Sequence, residues 1–464
     1  MKKLFSTLFL LCMFAGIATV LGRATLNRTD AGCIQLADFY KLEENTVDVL
    51  CVGSSHVYYS INTCKLYDDY GMASYLLASP AQPVWISYYF LEEALKTQSP
   101  KLVVFDVCTL YQRQSDMGAA SWPSLISMKP SREKWKAILA VNQEEKLLDA
   151  VGAFFSFPYY HTRYNELTRQ DYENTKRVRY HGYKPDFQVI SKRELAQWAK
   201  VDRSNFDKME PVSERTELYL RKLIGLCREK KIPLMFVNSP YLNQTEEKQK
   251  AYNYVFAIAK EYGIPFLDSN FVEEMQIDFS TDLLEPSHLN YYGSVKYTDY
   301  LAKWMKSHYE IPDRRAAQRY QSWEEASRKF RHTELYGREL AKLENASDYL
   351  EAVQKLDECV VVFYEKPQGA AAVYEDGKLA FSSTATNGKN GEAEAFLQHF
   401  DLDYSDLAVK RDAAGLSVMV DRRDYTYTEQ GMNVLVYDKA AKGVIDGAGF
   451  EKGKRVHRNK KTGA

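Results

Sequence analysis

Short, compact apolar runs alternate with amphipathic stretches along the chain up to about residue 310. Val47–Val52 is such a run, closed by Gly53, and reads as a buried strand. Ala73–Ala78, Leu102–Val107, Ile232–Val237 and Ile264–Leu267 repeat the pattern. Between them the apolar positions recur every three or four residues. Pro83–Lys96 carries Trp85, Tyr88, Leu91 and Leu95 on one side, and Glu214–Lys230, Glu246–Tyr262 and Tyr292–His308 read as further helices. Strands alternating with helices predict parallel crossovers and a doubly wound sheet, whose ligands bind beyond the C-terminal strand ends. Chemistry is therefore expected just after Val52, Ala78, Val107, Val237 and Leu267.

Residues 109–212 interrupt the alternation. The stretch holds Trp122, Phe154, Phe155, Tyr159, Tyr160, His161, Arg163 and Tyr164, and reads as a partly helical insertion overhanging the strand ends. Residues 310–347 are highly charged with helical spacing and predict a linking helix. From 348 to 451 the pattern changes to strand-like runs at Cys359–Tyr364, Ala371–Tyr374, Leu379–Phe381, Leu416–Val420 and Val434–Tyr437. These predict a separate, smaller α+β domain. Residues 452–464 read as a basic tail.

The N-terminus changes the picture. Lys2 and Lys3 precede an uncharged stretch from Leu4 to Leu21, followed by Arg23. Residues 1–23 are thus either a signal peptide or a membrane anchor, the anchor being favoured because the cleavage site is poor. The positive-inside rule places everything after Arg23 outside the cytoplasm. Residues 24–46 read as a stalk and lead-in to a domain ending near 309. Lys+Arg (61) and Asp+Glu (62) nearly cancel, so no overall field argues for nucleic acid. No C-x-x-C and no His/Asp cluster at ligand spacing occurs, so neither metal nor other cofactor is expected. A Cys33–Cys64 disulfide is permitted in an exported chain. The 34 tyrosines suit clefts for polar, ring-shaped ligands, or reflect a bias of composition alone.

Two short segments carry candidate chemistry. Gly53-Ser54-Ser55-His56 follows the first strand, where a serine at a strand-to-helix turn presents its hydroxyl beside backbone N–H groups able to hold an oxyanion. The plain alternative is an N-cap serine pair. Near the end of the α/β region stands Asp282-Leu-Leu-Glu285-Pro-Ser-His288-Leu-Asn290, with Gly293 beyond. An acid three residues before a histidine suits a base and its orienting carboxylate, with Asp282 as a second candidate acid. Tyr160–Tyr164, with His161 and Arg163, suits either stacking and forked hydrogen bonds to a sugar or an anion, or an internal polar network.

Together the two segments resemble the SGNH, or GDSL-like, hydrolase superfamily over roughly residues 45–308. The resemblance implies a flavodoxin-like three-layer α/β fold, with Ser55 as nucleophile, His288 as base and Glu285 as acid. Within that family the chain looks like envelope-associated members such as alginate O-acetyltransferases and the D-alanyl-lipoteichoic acid protein. Three departures stand out. The acid is glutamate, not aspartate. The oxyanion glycine is absent from Leu77-Ala78-Ser79-Pro80-Ala81-Gln82, which leaves the backbone of Ser79 or Ala81, or the Gln82 amide, beside that of Ser55. Phe105-Asp106-Val107 replaces the Gly-x-Asn-Asp block. His56 and Asp106 remain as cleft-lining candidates; adjacent side chains diverge at a turn, so His56 is a poor base for Ser55, and its alternative is a structural role. The stretch Gly431–Asp438 with Gly443–Asp446 and Phe450 resembles an interleukin-like GG domain over about 20 residues.

The implied function is an acyl esterase or O-acyltransferase acting on a cell-surface glycan or acylated sugar. A transferase would need a membrane-bound acyltransferase partner as donor. The competing reading is an inactive SGNH-fold envelope protein that binds glycan or such a partner.

Overall fold

The computed structural model describes residues 2–26, 31–112, 118–141, 147–167, 180–198, 206–367, 371–383, 407–412, 415–420, 423–439 and 443–456. The chain divides into two compact units, Met1–Ser327 and Arg328–Ala464.

The first unit is built on a parallel sheet of β1 (Val49–Gly53), β2 (Ser74–Ala78), β3 (Leu102–Asp106), β4 (Leu234–Asn238) and β5 (Phe266–Asp268), in the order β2-β1-β3-β4-β5. All five predicted strands are present. β1 to β4 are buried along their whole length, as unbroken apolar runs require when helices cover both faces. One face packs Leu50, Val52, Leu77, Val103, Phe105 and Phe236 under Val84–Ala94, Glu214–Glu229 and Glu246–Tyr262. On the other, the helix Tyr291–His308 packs against the helices Ser55–Ser60 and Thr63–Tyr70. The chain leaves β1 for one neighbour and later returns to β3 on its other side. This makes the β1/β3 boundary the crevice where such sheets bind ligands.

A short hairpin of β6 (Leu283–Glu285) and β7 (His288–Leu289) precedes the last helix. In the second unit β8 (Cys359–Lys366) and β14 (Gly431–Asp438) form the centre of an antiparallel sheet. They are flanked by β9 (Ala371–Glu375), β10 (Lys378–Ser383), β15 (Gly443–Glu451) and β16 (Lys454–Val456). Alternate residues serve two cores. Val360, Val362 and Leu435 meet the small sheet of β11 (Leu407–Asp412), β12 (Gly415–Val420) and β13 (Arg423–Asp424), while Val361, Phe363 and Val434 meet Tyr349 and Val353.

Four expectations change. Residues 24–46 are not a bare stalk, because Ala31–Phe39 is a helix that buries Ile34, Leu36 and Phe39. The single helix expected over 310–347 is broken into pieces, Gln321–Lys329 and Phe330–Tyr336 among them, and Tyr320 and Trp323 sit in the core of the first unit. The expected basic tail begins as strand β16, and residues 457–464 lie outside the described residues. The cysteines are all free thiols. Cys33 contacts Ser127 and Pro123, and Cys64 contacts the Ala326 carbonyl, so no 33–64 bridge forms.

Candidate active site

β1 delivers the chain to a turn that has no room for a side chain at Gly53. A Cβ there would lie 2.6 Å from Asp106 Cβ and 2.8 Å from Val57 Cγ2. Ser54 then caps the helix Ser55–Ser60, its Oγ accepting from the His56 N–H at 3.3 Å. The same Oγ donates to Asp106 Oδ2 at 2.9 Å, and the Ser54 N–H donates to that oxygen at 3.4 Å. Asp106 Oδ1 accepts from the Cys108 N–H at 3.3 Å. Asp106, at the tip of β3, thus fastens the turn after β1 to its neighbouring strand. Burial raises its carboxyl to about 6 against the hydrogen bonds that favour the charged form.

Ser55 is the first helical residue, half-buried, and its Oγ lies 2.7 Å from His288 Nε2 across 233 residues of sequence. The β6–β7 register sets Glu285 opposite His288. His288 Nδ1 bonds Glu285 Oε1, and the Ser287 N–H donates to Oε2 at 3.0 Å. Burial pushes the Glu285 carboxyl up. The His288 bond and charge, the Ser287 N–H and the Lys248 charge outweigh that and leave it below its ordinary value. The hairpin is pinned to the loop after β4. Leu242 and Asn243 N–H groups donate to the Pro286 carbonyl, and Asn243 Nδ2 donates to Ser287 Oγ at 2.8 Å. Asn290 caps the following helix at Gly293, where a Cβ would meet the Asp282 carbonyl oxygen at 2.3 Å.

The His288 ring lies between two others, His56 and Tyr59, each with centroids at 4.9 Å and a tilt of 52°. His56 is buried, its Nδ1 3.1 Å from Ser239 Oγ and its ring edge-on to Tyr241. Burial, then the charges of His288 and Lys248, hold its pKa well below the usual histidine range, so it stays neutral. Lys184 donates to Tyr59 Oη at 2.6 Å.

The other candidates fall elsewhere. The Ser79 N–H donates to the Gly53 carbonyl at 3.4 Å. Gln82 is buried with both ends of its amide engaged, accepting from Ser79 Oγ and donating to Ser87 Oγ and the Leu77 carbonyl. Ala81 takes φ 46° in the same loop. The Ser55 N–H, by contrast, has no hydrogen-bond partner among the described residues. Asp106 is a buried brace rather than a lining residue. Asp282 is occupied by Lys296 and the Asp278 N–H. His161 Nδ1 contacts the Pro158 carbonyl and Arg163 donates to the Thr25 carbonyl, on the side of the N-terminal helix.

The part of the insertion that approaches the site is instead Lys184–Ile190. Lys184 N–H bonds the Tyr58 carbonyl, the Tyr291 N–H bonds the Asp186 carbonyl, and the Ile190 N–H bonds the Leu283 carbonyl. Sequence reading missed Tyr59 and Lys184. Tyr59 was accessible, since it stands four residues after Ser55 on the same helix face. Nothing in the pattern marks Lys184.

No family model matches the chain, and no curated protein matches it in sequence. Among solved structures, a "putative acylhydrolase" from Bacteroides fragilis NCTC 9343 aligns over 59% of this chain and 94% of its own, with 12% identity and a TM-score of 0.30. A likeness of that score is too loose to establish a shared fold.

Proposed function

We propose that the protein is a serine-dependent acyl esterase or O-acyltransferase, with a flavodoxin-like, three-layer SGNH fold in its first unit. The observation that carries this reading is the unbroken hydrogen-bonded line from Ser55 Oγ through His288 to Glu285. In the neutral imidazole, Nδ1–H donates to Glu285 and Nε2 accepts from the Ser55 hydroxyl. As Ser55 attacks an ester carbonyl, Nε2 takes its proton and the Glu285 carboxylate stabilises the imidazolium. The Ser55 N–H is the donor for the oxyanion. His288 then returns the proton to the leaving alcohol. In the second half it takes a proton from water or from a sugar hydroxyl as that oxygen attacks the acyl carbon, then returns it to Ser55 Oγ as the acyl–serine bond breaks.

An acylated cell-envelope polysaccharide or glycopolymer fits the surroundings. Tyr59 lies against the base's ring, Tyr291 and Tyr292 follow the base closely in sequence and pack on each other, and Tyr292 is exposed. Phe5–Thr25 is long and apolar enough to cross a membrane, as a signal sequence also is. An extracytoplasmic, membrane-anchored enzyme, served by a membrane-bound acyltransferase as donor in the transferase case, is the form of the reading we favour. The GG-like stretch of the second unit suits a role beside carbohydrate and takes no part in the chemistry.

The test is covalent. The full chain in detergent is treated with a fluorophosphonate probe, with Ser55→Ala as control, and assayed for acetate release from p-nitrophenyl acetate. Labelling and turnover lost in the variant are expected. A folded wild type that neither labels nor turns over would sink the acyl enzyme and favour the second reading, a glycan- or partner-binding protein. The commitment of the Ser79 N–H to the Gly53 carbonyl, and of the Gln82 amide to Ser79, Leu77 and Ser87, is what favours that alternative.

A further inference from the structure

The N-terminal helix Lys2–Thr25 is covered along one line. Ala18, Gly22 and Thr25 are buried and Ala15 and Thr19 half-buried, a spacing of three or four residues that marks a single face. Phe9, Phe14, Ile17 and Val20, off that line, are exposed. The covering elements are the helices Leu147–Phe155 and Phe157–Tyr160 and the turn His161–Asn165. The approach is close. A Cβ on Gly22 would lie 2.0 Å from the Phe155 carbonyl oxygen and 3.0 Å from the Phe157 nitrogen. Ser156, with φ 65°, makes the bend between the two helices, and Arg163 donates to the Thr25 carbonyl at 2.9 Å. Small residues on one helix that admit a neighbour's backbone are the means by which helices pack in lipid.

Ala15 to Thr25 spans about 15 Å of helix. A bilayer that takes up this helix to its C-terminal end must also receive whatever is clasped to that end. The composition there agrees. Leu147–Phe155 reads LLDAVGAFF, with Val151 36% exposed, and Tyr164, in the turn beyond, is 68% exposed beside His161 and Arg163. Apolar side chains followed by aromatic and basic ones are the order found across a membrane–water boundary.

We propose that Leu147–Asn165 is a membrane-interface element that lies in the lipid headgroup layer against the N-terminal helix. Its partner is the bilayer surface itself. The surface requires that the helix remain attached as an anchor, and it does not depend on the chemistry of Ser55.

Single cysteines at Phe9, Val151, Tyr164, Leu218 and Phe256 test it, each in the full chain with Cys12→Ser; the other native cysteines are buried. Each variant is labelled with an environment-sensitive fluorophore, reconstituted into phosphatidylcholine–phosphatidylglycerol vesicles and exposed to spin-labelled lipid. Leu218 and Phe256 are exposed apolar controls on other helices. Blue-shifted, quenched emission is expected at 9, 151 and 164 and not at 218 or 256. Gly22→Leu should abolish quenching at 164 and leave it at 9. Quenching at 9 with water-like emission at 151 and 164 would overturn the interface element while leaving the anchor intact. Water-like emission at 9 would remove the anchor, and the interface with it.

Discussion

At Glu285 the chain departs from the expected aspartate, and the hairpin explains why the longer arm fits. Its two oxygens divide the work, Oε1 on His288 and Oε2 on the Ser287 N–H. Glu285→Gln keeps the shape and loses the charge that stabilises the imidazolium. We expect kcat/KM for p-nitrophenyl acetate to fall by roughly 10²–10⁴-fold with an unchanged melting temperature. Equal activity would remove Glu285 from the mechanism. Asp106 belongs to a different account. Its folded pKa of about 6 stands above the ordinary 3.8. The stability linked to it is therefore present below that ordinary value and is lost as pH rises through about 6, on the order of 3 kcal/mol in total. Asp106→Asn cannot titrate, so urea midpoints measured between pH 4 and 7 should lose that part of their slope. Parallel wild-type and variant profiles would show that the carboxyl is not the group responsible.

Elements, rather than single residues, decide which sequence expectations survived. Runs such as Val49–Gly53 and Leu102–Asp106 were legible because a strand buried on both faces leaves no polar position to mislead. Glu285 and His288 were legible because a hairpin places residues three apart side by side. The engagement of Ser79 was not, since its N–H extends the β1–β2 ladder one residue past Ala78 to the Gly53 carbonyl, and where a ladder stops is set by strand register rather than by residue type. Nor was the path of Lys184–Ile190, fixed by backbone bonds to segments distant in sequence. Two predictions sit at this scale. Gly53→Ala should cost about 1–3 kcal/mol through overpacking against Asp106 and Val57, read as a lowered denaturation midpoint. Tyr59 closes one side of the His288 ring. Tyr59→Ala should lower kcat more than it raises KM, and Tyr59→Phe, which keeps the ring and loses only the Lys184 bond, should restore most of the rate. Failure of the phenylalanine variant to do so would assign the effect to the hydroxyl.

Across the whole molecule, every residue of the Ser55–His288–Glu285 line and every brace behind it belongs to the unit Met1–Ser327. The charge pattern alone places the end of that domain near 309, and the packing argues for a later one. Arg314 makes a two-pronged pair with the buried Asp48, at 2.7 and 2.8 Å. Trp323 is buried, donates to the Ser74 carbonyl at 3.0 Å and stacks on His181 with centroids 4.4 Å apart. Removing residues 310–327 would uncover the β2 edge, strand Asp48 without its cation, and cost about 3–5 kcal/mol for the tryptophan alone. The second unit keeps two cores of its own around β8 and β14. A chain ending at Lys329 should therefore label with fluorophosphonate at the full-length rate, whereas one ending at Tyr309 should label poorly and melt at lower temperature. The order of those two results carries the inference. If both truncations fail alike, the second unit is needed for the fold of the first, and if both label alike, the segment from Glu310 to Ser327 is dispensable despite its burial.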